Sequence, residues 1–228
     1  MCRTAVFLQV RLASTRLPEK ALLPLEGKAA IVHAMEALAL LPADEYLLVT
    51  DEESVARLAP PAAKCGYGVF AGDRDNVLKR FCDAAERYSV NRIIRATGDN
   101  PLVSAAAARE ALRLQETSGA DYAGITDTPY GTGVEVVLAR ALADVLSGGP
   151  DRYEREHVTP GVYRRPERYK VVVQQTPART RFPEMRVTLD TPDDYDYIAG
   201  IFRALYRGRP IELPELVAYG HQQQRSSA

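Results

Sequence analysis

The clearest signal along the chain is an alternation of short apolar runs with longer amphipathic ones. Residues 5–10 (AVFLQV) are nearly all apolar and bounded by polar positions, the pattern of a strand covered on both faces. A basic loop, residues 11–20, follows, and residues 31–41 (IVHAMEALALL) read as a helix. Residues 46–50 (YLLVT) form a second short strand, and 52–63 a helix ended near Pro60 and Pro61. Residues 68–71 (GVFA) are a third strand. Asp73 or Asp75 then caps a helix whose apolar positions Val77, Phe81, Ala84, Ala85 and Tyr88 keep helical spacing. Residues 92–96 (RIIRA) make a strand broken by Thr97-Gly98-Asp99-Asn100-Pro101, and 105–117 a helix.

From Ala120 the rhythm changes: a glycine-rich stretch, 130–137 (YGTGVEVV), leads to a helix from Ala139, and residues 169–174 alternate loosely as a β-ribbon does. Residues 186–189 (RVTL) read as a last strand. Thr191-Pro192-Asp193-Asp194 opens a final helix, with threonine as cap, proline in the first turn and Asp194 at the capping-box position. The expectation is a three-layer α/β/α domain on a mostly parallel sheet. It is one domain over 1–228, with 120–175 a small β excursion for substrate or dimer contacts and 222–228 a disordered tail.

Composition narrows the function classes. At 228 residues the chain is long enough for a sizeable core, and 46% apolar with 26% charged residues excludes a disordered or fibrous chain. With 29 basic against 30 acidic residues the formal charge is -1, so no overall field favours nucleic acid or an anionic membrane. Any bound anion must be held by a local cluster. Cys2, Cys65 and Cys82 have neither disulfide nor zinc spacing, and the N-terminal apolar run is too short for a signal core. A soluble, cytoplasmic protein is the expectation.

The richest local chemistry is the first loop. Arg11, Arg16 and Lys20, with the hydroxyls of Ser14 and Thr15, stand at the carboxyl end of the first strand, where open α/β sheets bind ligands. A polyphosphate suits such a cluster. On the residues alone, a solvated basic loop remains equally open. Asp99 and Asp190 each follow a strand, so in one parallel sheet both reach the edge that carries the loop. Carboxylates there, with substrate phosphates, are what Mg2+ coordination asks for; a turn-forming Asp99 and a helix-dipole partner in Asp190 are the alternatives.

The loop QVRLASTRLPEK (9–20) resembles the phosphate-loop signature of cytidylyltransferases of the spore-coat-polysaccharide F type, relatives of the CMP-sugar-acid synthetases. The likeness continues through LEGK (25–28), GDRDNVLKRF (72–81), RATGDNPL (95–102), GVEV (133–136), REHVTP (155–160) and LDTPDD (189–194). It implies a glycosyltransferase-A-like nucleotidyltransferase fold and Mg2+-dependent transfer of CMP from CTP to a small acceptor, a sugar acid or a phosphorylated molecule, with pyrophosphate released. By this resemblance Arg11, Arg16 and Lys20 hold the triphosphate, with Leu8, Gln9, Val10 and Ser14 at its base. Asp73 and Asn76 meet the nucleoside, Asp99 and Asp190 hold the metal, and Glu135 and His157 face the acceptor. Arg16, Lys20, Asp99 and Asp190 are the catalytic set, and a homodimer is the assembly to test for.

Two positions depart from the family pattern, Ala13 and Glu19, where glycine is usual. Alanine tolerates positive φ poorly, and Glu19 is an anion beside the phosphate site, so its carboxylate is expected to point away. A nucleotide-sugar glycosyltransferase and a non-catalytic nucleotide-binding module are the competing readings. The first lacks its Asp-x-Asp motif here, where the chain has Gly98-Asp99-Asn100.

Overall fold

The computed structural model describes the backbone of residues 2–227. In chain order, β1 (Thr4–Gln9) is followed by the short strands β2 (Pro24–Leu25) and β3 (Lys28–Ala29), then α1 (Ala30–Leu38), β4 (Glu45–Thr50), α2 (Glu52–Lys64) and β5 (Gly68–Ala71). Next come α3 (Val77–Arg87), β6 (Arg92–Thr97), α4 (Ala105–Ser118), β7 (Tyr122–Thr126), β8 (Glu135–Leu138), α5 (Ala139–Ser147) and α6 (Arg152–His157). The chain closes with α7 (Pro160–Tyr163), β9 (Val171–Gln175), α8 (Pro192–Leu205) and α9 (Leu213–Ser227). A seven-stranded sheet, ordered β5-β4-β1-β6-β8-β7-β9, forms the middle layer, and β2 and β3 pair as a small antiparallel sheet.

Alternation along β1 explains the layers. Val6, Leu8 and Val10 point to one face, where they pack with Met35 of α1, Leu58 of α2 and Ala108 of α4. Ala5 and Phe7 point to the other, against Leu78 and Phe81 of α3 and Leu142 of α5. Both faces are therefore dry, as the continuous apolar run requires. A third cluster joins Phe182, Met185, Val187 and Leu189 to Ile198 and Phe202 of α8 and Leu216 and Val217 of α9. This layer holds the segment that leads into Asp190. Among the described residues no helix is long and apolar enough to cross a membrane.

Several elements differ from their sequence pattern. The change of rhythm after Ala120 marks where the sheet stops being uniformly parallel: β8 runs antiparallel to both β6 and β7, and the segment stays within the main sheet. Residues 171–175 are not a ribbon but an edge strand, parallel to β7. α2 does not stop at its prolines; it runs through Pro60 and Pro61 to Lys64. The carbonyls those prolines cannot reach belong to Ala56 and Arg57, both exposed, while Leu58 and Ala62 stay buried and anchor the helix on either side. Asn76, rather than Asp73 or Asp75, caps α3, its side chain accepting from Lys79 N. The expected strand at 186–189 makes a single bridge, Tyr130 to Arg186, because its apolar residues face α8 and α9 rather than the sheet. Residues 222–227 are not a disordered tail but continue α9, whose start is held by Leu213, Leu216 and Val217; Ala228 lies outside the described residues.

Candidate active site

β1 and β6 lie side by side and end together, Gln9 opposite Thr97. Gly98 then donates its N–H to Gln9 O at 2.7 Å. A Cβ there would stand 2.9 Å from Val10 Cβ and 3.1 Å from Ile31 Cδ1, so only glycine lets the backbone turn so tightly against the core. The turn delivers Asp99 to the edge of the sheet. The loop after β1 folds back on itself, Leu12 O accepting from Ser14 N at 2.9 Å and Glu19 N at 3.3 Å, and is tied to α2 by Leu12 N donating to Ser54 Oγ at 3.1 Å. Glu19 has φ 51°, the left-handed conformation, and starts a 3-10 turn at Lys20. A glycine is natural at such a position, whereas Ala13 is not among the residues with positive φ, so its loss of glycine strains nothing.

Asp190 reaches the same edge by a different route. Leu189 N donates to Asp99 O at 3.3 Å, and Met185 and Val187 pair with Tyr130 through two 2.8 Å backbone bonds. Gly131, at φ 106°, permits this approach; a Cβ would meet the backbone of Val187 at 2.9 Å.

The charges then converge. Lys20 Nζ lies 2.5 Å from Asp99 Oδ2 and 2.8 Å from Asp190 Oδ1, with its side chain only 12% exposed. Arg16 Nη2 approaches the same Oδ1 at 3.4 Å. Arg186 Nη2 takes the other oxygen, Oδ2, at 2.6 Å. Burial alone would raise the Asp190 carboxyl, but the hydrogen bond and charge of Lys20 and the charge of Arg16 outweigh it and hold the group below its ordinary 3.8. The two carboxylates are thus not a bare repelling pair, since an ammonium sits between them. Their oxygens already converge on one cation, which is the donor arrangement a hard divalent ion accepts. No cluster of three or more His, Cys, Asp or Glu residues fit to hold a metal occurs among the described residues, so phosphate oxygens and water must complete any such shell.

The other expected residues divide. Leu8 and Val10 are buried in the core, leaving only their backbone for a ligand. Ser14 Oγ accepts from Leu17 N at 3.4 Å. Arg11 is exposed, 3.8 Å from Glu156. The Glu19 carboxylate turns away from the cations of the site to Arg57 of α2, in two bonds of 2.7 and 3.0 Å. Asp73 Oδ1 accepts from Asp75 N and Asn76 N, which holds its carboxyl below the usual range and shapes the turn before α3. Gln9 and Glu135 meet in one network: Arg95 donates to Gln9 Oε1 at 3.0 Å and to Glu135 Oε2 at 2.5 Å, and Tyr122 and Thr159 also donate to Glu135. His157 does not join it. It is exposed at the end of α6 and packs on Tyr153 at 4.2 Å, while Val158, at φ 72° and ψ -63°, turns Thr159 inward instead.

Four residues escape the sequence reading: Arg186, Arg95, Thr159 and Arg80. Arg80 is 1% exposed and donates to Asp73 O at 2.9 and 2.6 Å and to Arg74 O at 3.0 Å, buttressing the 72–76 turn from beneath. The signal for Arg186 is its place four residues before Asp190, on a segment that also carries Val187 and Leu189 into the core.

The chain is similar to known proteins over nearly its whole length. Residues 5–220 match the profile of the family described as Cytidylyltransferase. The chain is 34% identical over 218 residues to the spore coat polysaccharide biosynthesis protein SpsF of Bacillus subtilis (strain 168), covering 92% of this chain and 90% of that one. It superposes on a cytidylyltransferase from Leptospira borgpetersenii serovar Hardjo-bovis (strain JB197) with a TM-score of 0.89 at 24% identity, over 99% of this chain and 96% of that one. A CMP:2-keto-3-deoxy-manno-octonic acid synthetase complexed with CTP gives 0.69 at 15% identity, over 89% and 99%. Those two likenesses establish the fold, the α/β sheet of nucleotidyltransferase structures. The family match and the SpsF relative, each spanning nearly the whole chain, establish that this protein belongs to the cytidylyltransferase family.

Proposed function

We propose that the protein transfers CMP from CTP to a sugar acid or a phosphorylated small molecule and releases pyrophosphate, supplying an activated building block for polysaccharide assembly. The observation that carries this reading is Lys20 bridging Asp99 and Asp190 at the mouth of the basic loop. The SpsF relative and the CTP-bound synthetase support the donor and the pathway class.

Asp99 and Asp190 would hold Mg2+, which when bound neutralises charge on the phosphates and lowers the barrier to displacement. Lys20, freed from the carboxylates, turns its ammonium to the phosphate oxygens, with Arg16 beside it on the shared Asp190 and Arg11 reaching in from its exposed place near Glu156. The acceptor oxygen attacks the α-phosphorus, forming one P–O bond as the bond to the bridging oxygen of pyrophosphate breaks; the acceptor proton leaves to water. Asp73 and Asn76, held by Arg80, position the nucleoside. Catalysis here is positioning and charge neutralisation, with no covalent enzyme intermediate.

Nucleotide titrations test the donor. CTP should bind more tightly than ATP, GTP or UTP, and its affinity should fall with salt because a local cationic loop on a neutral protein provides the attraction. Equal affinity for all four nucleotides would sink the cytidylyl assignment while leaving the fold untouched.

A further inference from the structure

The two oxygens of Asp190 face different ligands. Oδ1 is turned to Lys20 and Arg16, the cations of the loop, and Oδ2 to Arg186, which belongs to a separate segment. Displacement at phosphorus places the attacking and leaving oxygens on opposite sides. If the loop holds the departing pyrophosphate on the Oδ1 side of Asp190, the acceptor enters from the other side, and Arg186 is the cation on the Oδ2 side. Its guanidinium lies over the ring of Tyr130, 5.1 Å from the centroid, and Tyr130 is 60% exposed although the backbone around it is pinned to residues 185–187. An exposed aromatic face on a fixed backbone, stacked with an arginine, is the surface that recognises a small polyhydroxylated molecule bearing an anionic group. Glu135, expected to meet the acceptor, is otherwise engaged: its oxygens accept bonds from Arg95 and Tyr122 of the sheet and from Thr159 in the turn before α7.

We infer that Arg186 and Tyr130 form the acceptor subsite, Arg186 pairing with a carboxylate or phosphate of the acceptor and Tyr130 covering its ring. The inference rests on the cytidylyl-transfer reading and deepens it. Asp190 and the acceptor's anionic group share Arg186, so engagement of Asp190 by a metal ion loosens the arginine for the incoming anion.

The test uses the full chain loaded with Mg2+ and the α,β-methylene analogue of CTP, which cannot release pyrophosphate. The side-chain N–H signals of Arg16 and Arg186 are assigned by their loss in Arg16→Gln and Arg186→Gln. Three probes are titrated: 2-keto-3-deoxy-manno-octonate for a carboxylate, glucose 1-phosphate for a phosphate, and glucose as the neutral control. The nucleotide analogue should shift Arg16. An anionic probe should then shift Arg186 saturably, with the responding probe distinguishing carboxylate from phosphate, while glucose does not. By calorimetry, Arg186→Gln should weaken that probe roughly tenfold to a hundredfold, and Tyr130→Ala roughly threefold to tenfold, with affinity for the analogue preserved. A shifted Arg16 with an Arg186 signal that responds to neither anion would overturn the subsite alone. Failure of the analogue to move Arg16 would overturn the nucleotidyl reading and the subsite with it.

Discussion

Glu19 carries two opposing effects at a single residue. Its left-handed backbone costs a non-glycine residue about 1 kcal/mol, and its exposed bidentate pair with Arg57 returns roughly 0 to 1 kcal/mol. Glu19→Gly should therefore change stability by less than about 1 kcal/mol in thermal unfolding and leave CTP affinity within about twofold. A tenfold loss of affinity would reveal a part for this carboxylate in holding the loop that its pairing with Arg57 does not suggest. The same loop explains what could be read without coordinates. Lys20 and Asp99 were legible because one ends the basic loop after β1 and the other follows the buried strand β6, whereas Asp190 was legible only through the likeness of residues 189–194 to the family, since the segment before it is not a strand. Arg95 and Thr159 were not, because their role depends on pairing between β6, β8 and the turn at Val158, which sequence order does not reveal.

Among the elements, α1 and α8 meet at His33. It is buried, its Nε2 lies 2.8 Å from Leu25 O, and its ring packs on Phe202 at 4.4 Å and Tyr206 at 5.0 Å. Desolvation pushes its pKa below 6.5, with the Leu25 carbonyl and Glu36 opposing and Lys28 assisting. The fold thus favours the neutral ring. This contribution is complete above pH 6.5 and is lost as pH falls through the lower folded value, because the unfolded chain then takes up a proton the fold resists. His33→Gln, which keeps a donor for Leu25, should flatten the fall of Tm between pH 7 and 5 relative to the parent; an unchanged slope would exclude His33 as its source. The elements misread in sequence share one cause. Residues 186–189 have strand character and α2 contains two prolines, but in both cases tertiary burial, of Val187 and Leu189 under α8 and α9 and of Leu58 and Ala62 under the sheet, outweighs local preference.

For the molecule as a whole, the Lys20–Asp190 contact spans 170 positions, joining the first loop to the C-terminal layer. Asp190→Asn leaves Lys20, Arg16 and Arg186 facing one another without their common anion, so a destabilisation of about 1 to 3 kcal/mol at pH 7 is expected. Because the Asp190 pKa is depressed, its contribution is present above pH 3.8 and disappears as pH falls through the folded value. Denaturant titrations of parent and variant should therefore differ at neutral pH and converge in acid. A variant as stable as the parent at pH 7 would mean that the pair is neutral to folding and serves only the site. The distance this contact bridges along the chain also sets a timetable. During synthesis the phosphate loop and Asp99 leave the ribosome long before residue 190, so the growing chain carries a basic loop with half of its carboxylate partnership missing. On the proposed roles of Asp99 and Asp190, productive CTP binding would wait until the last layer has docked, and nucleotide binding would read out completed folding.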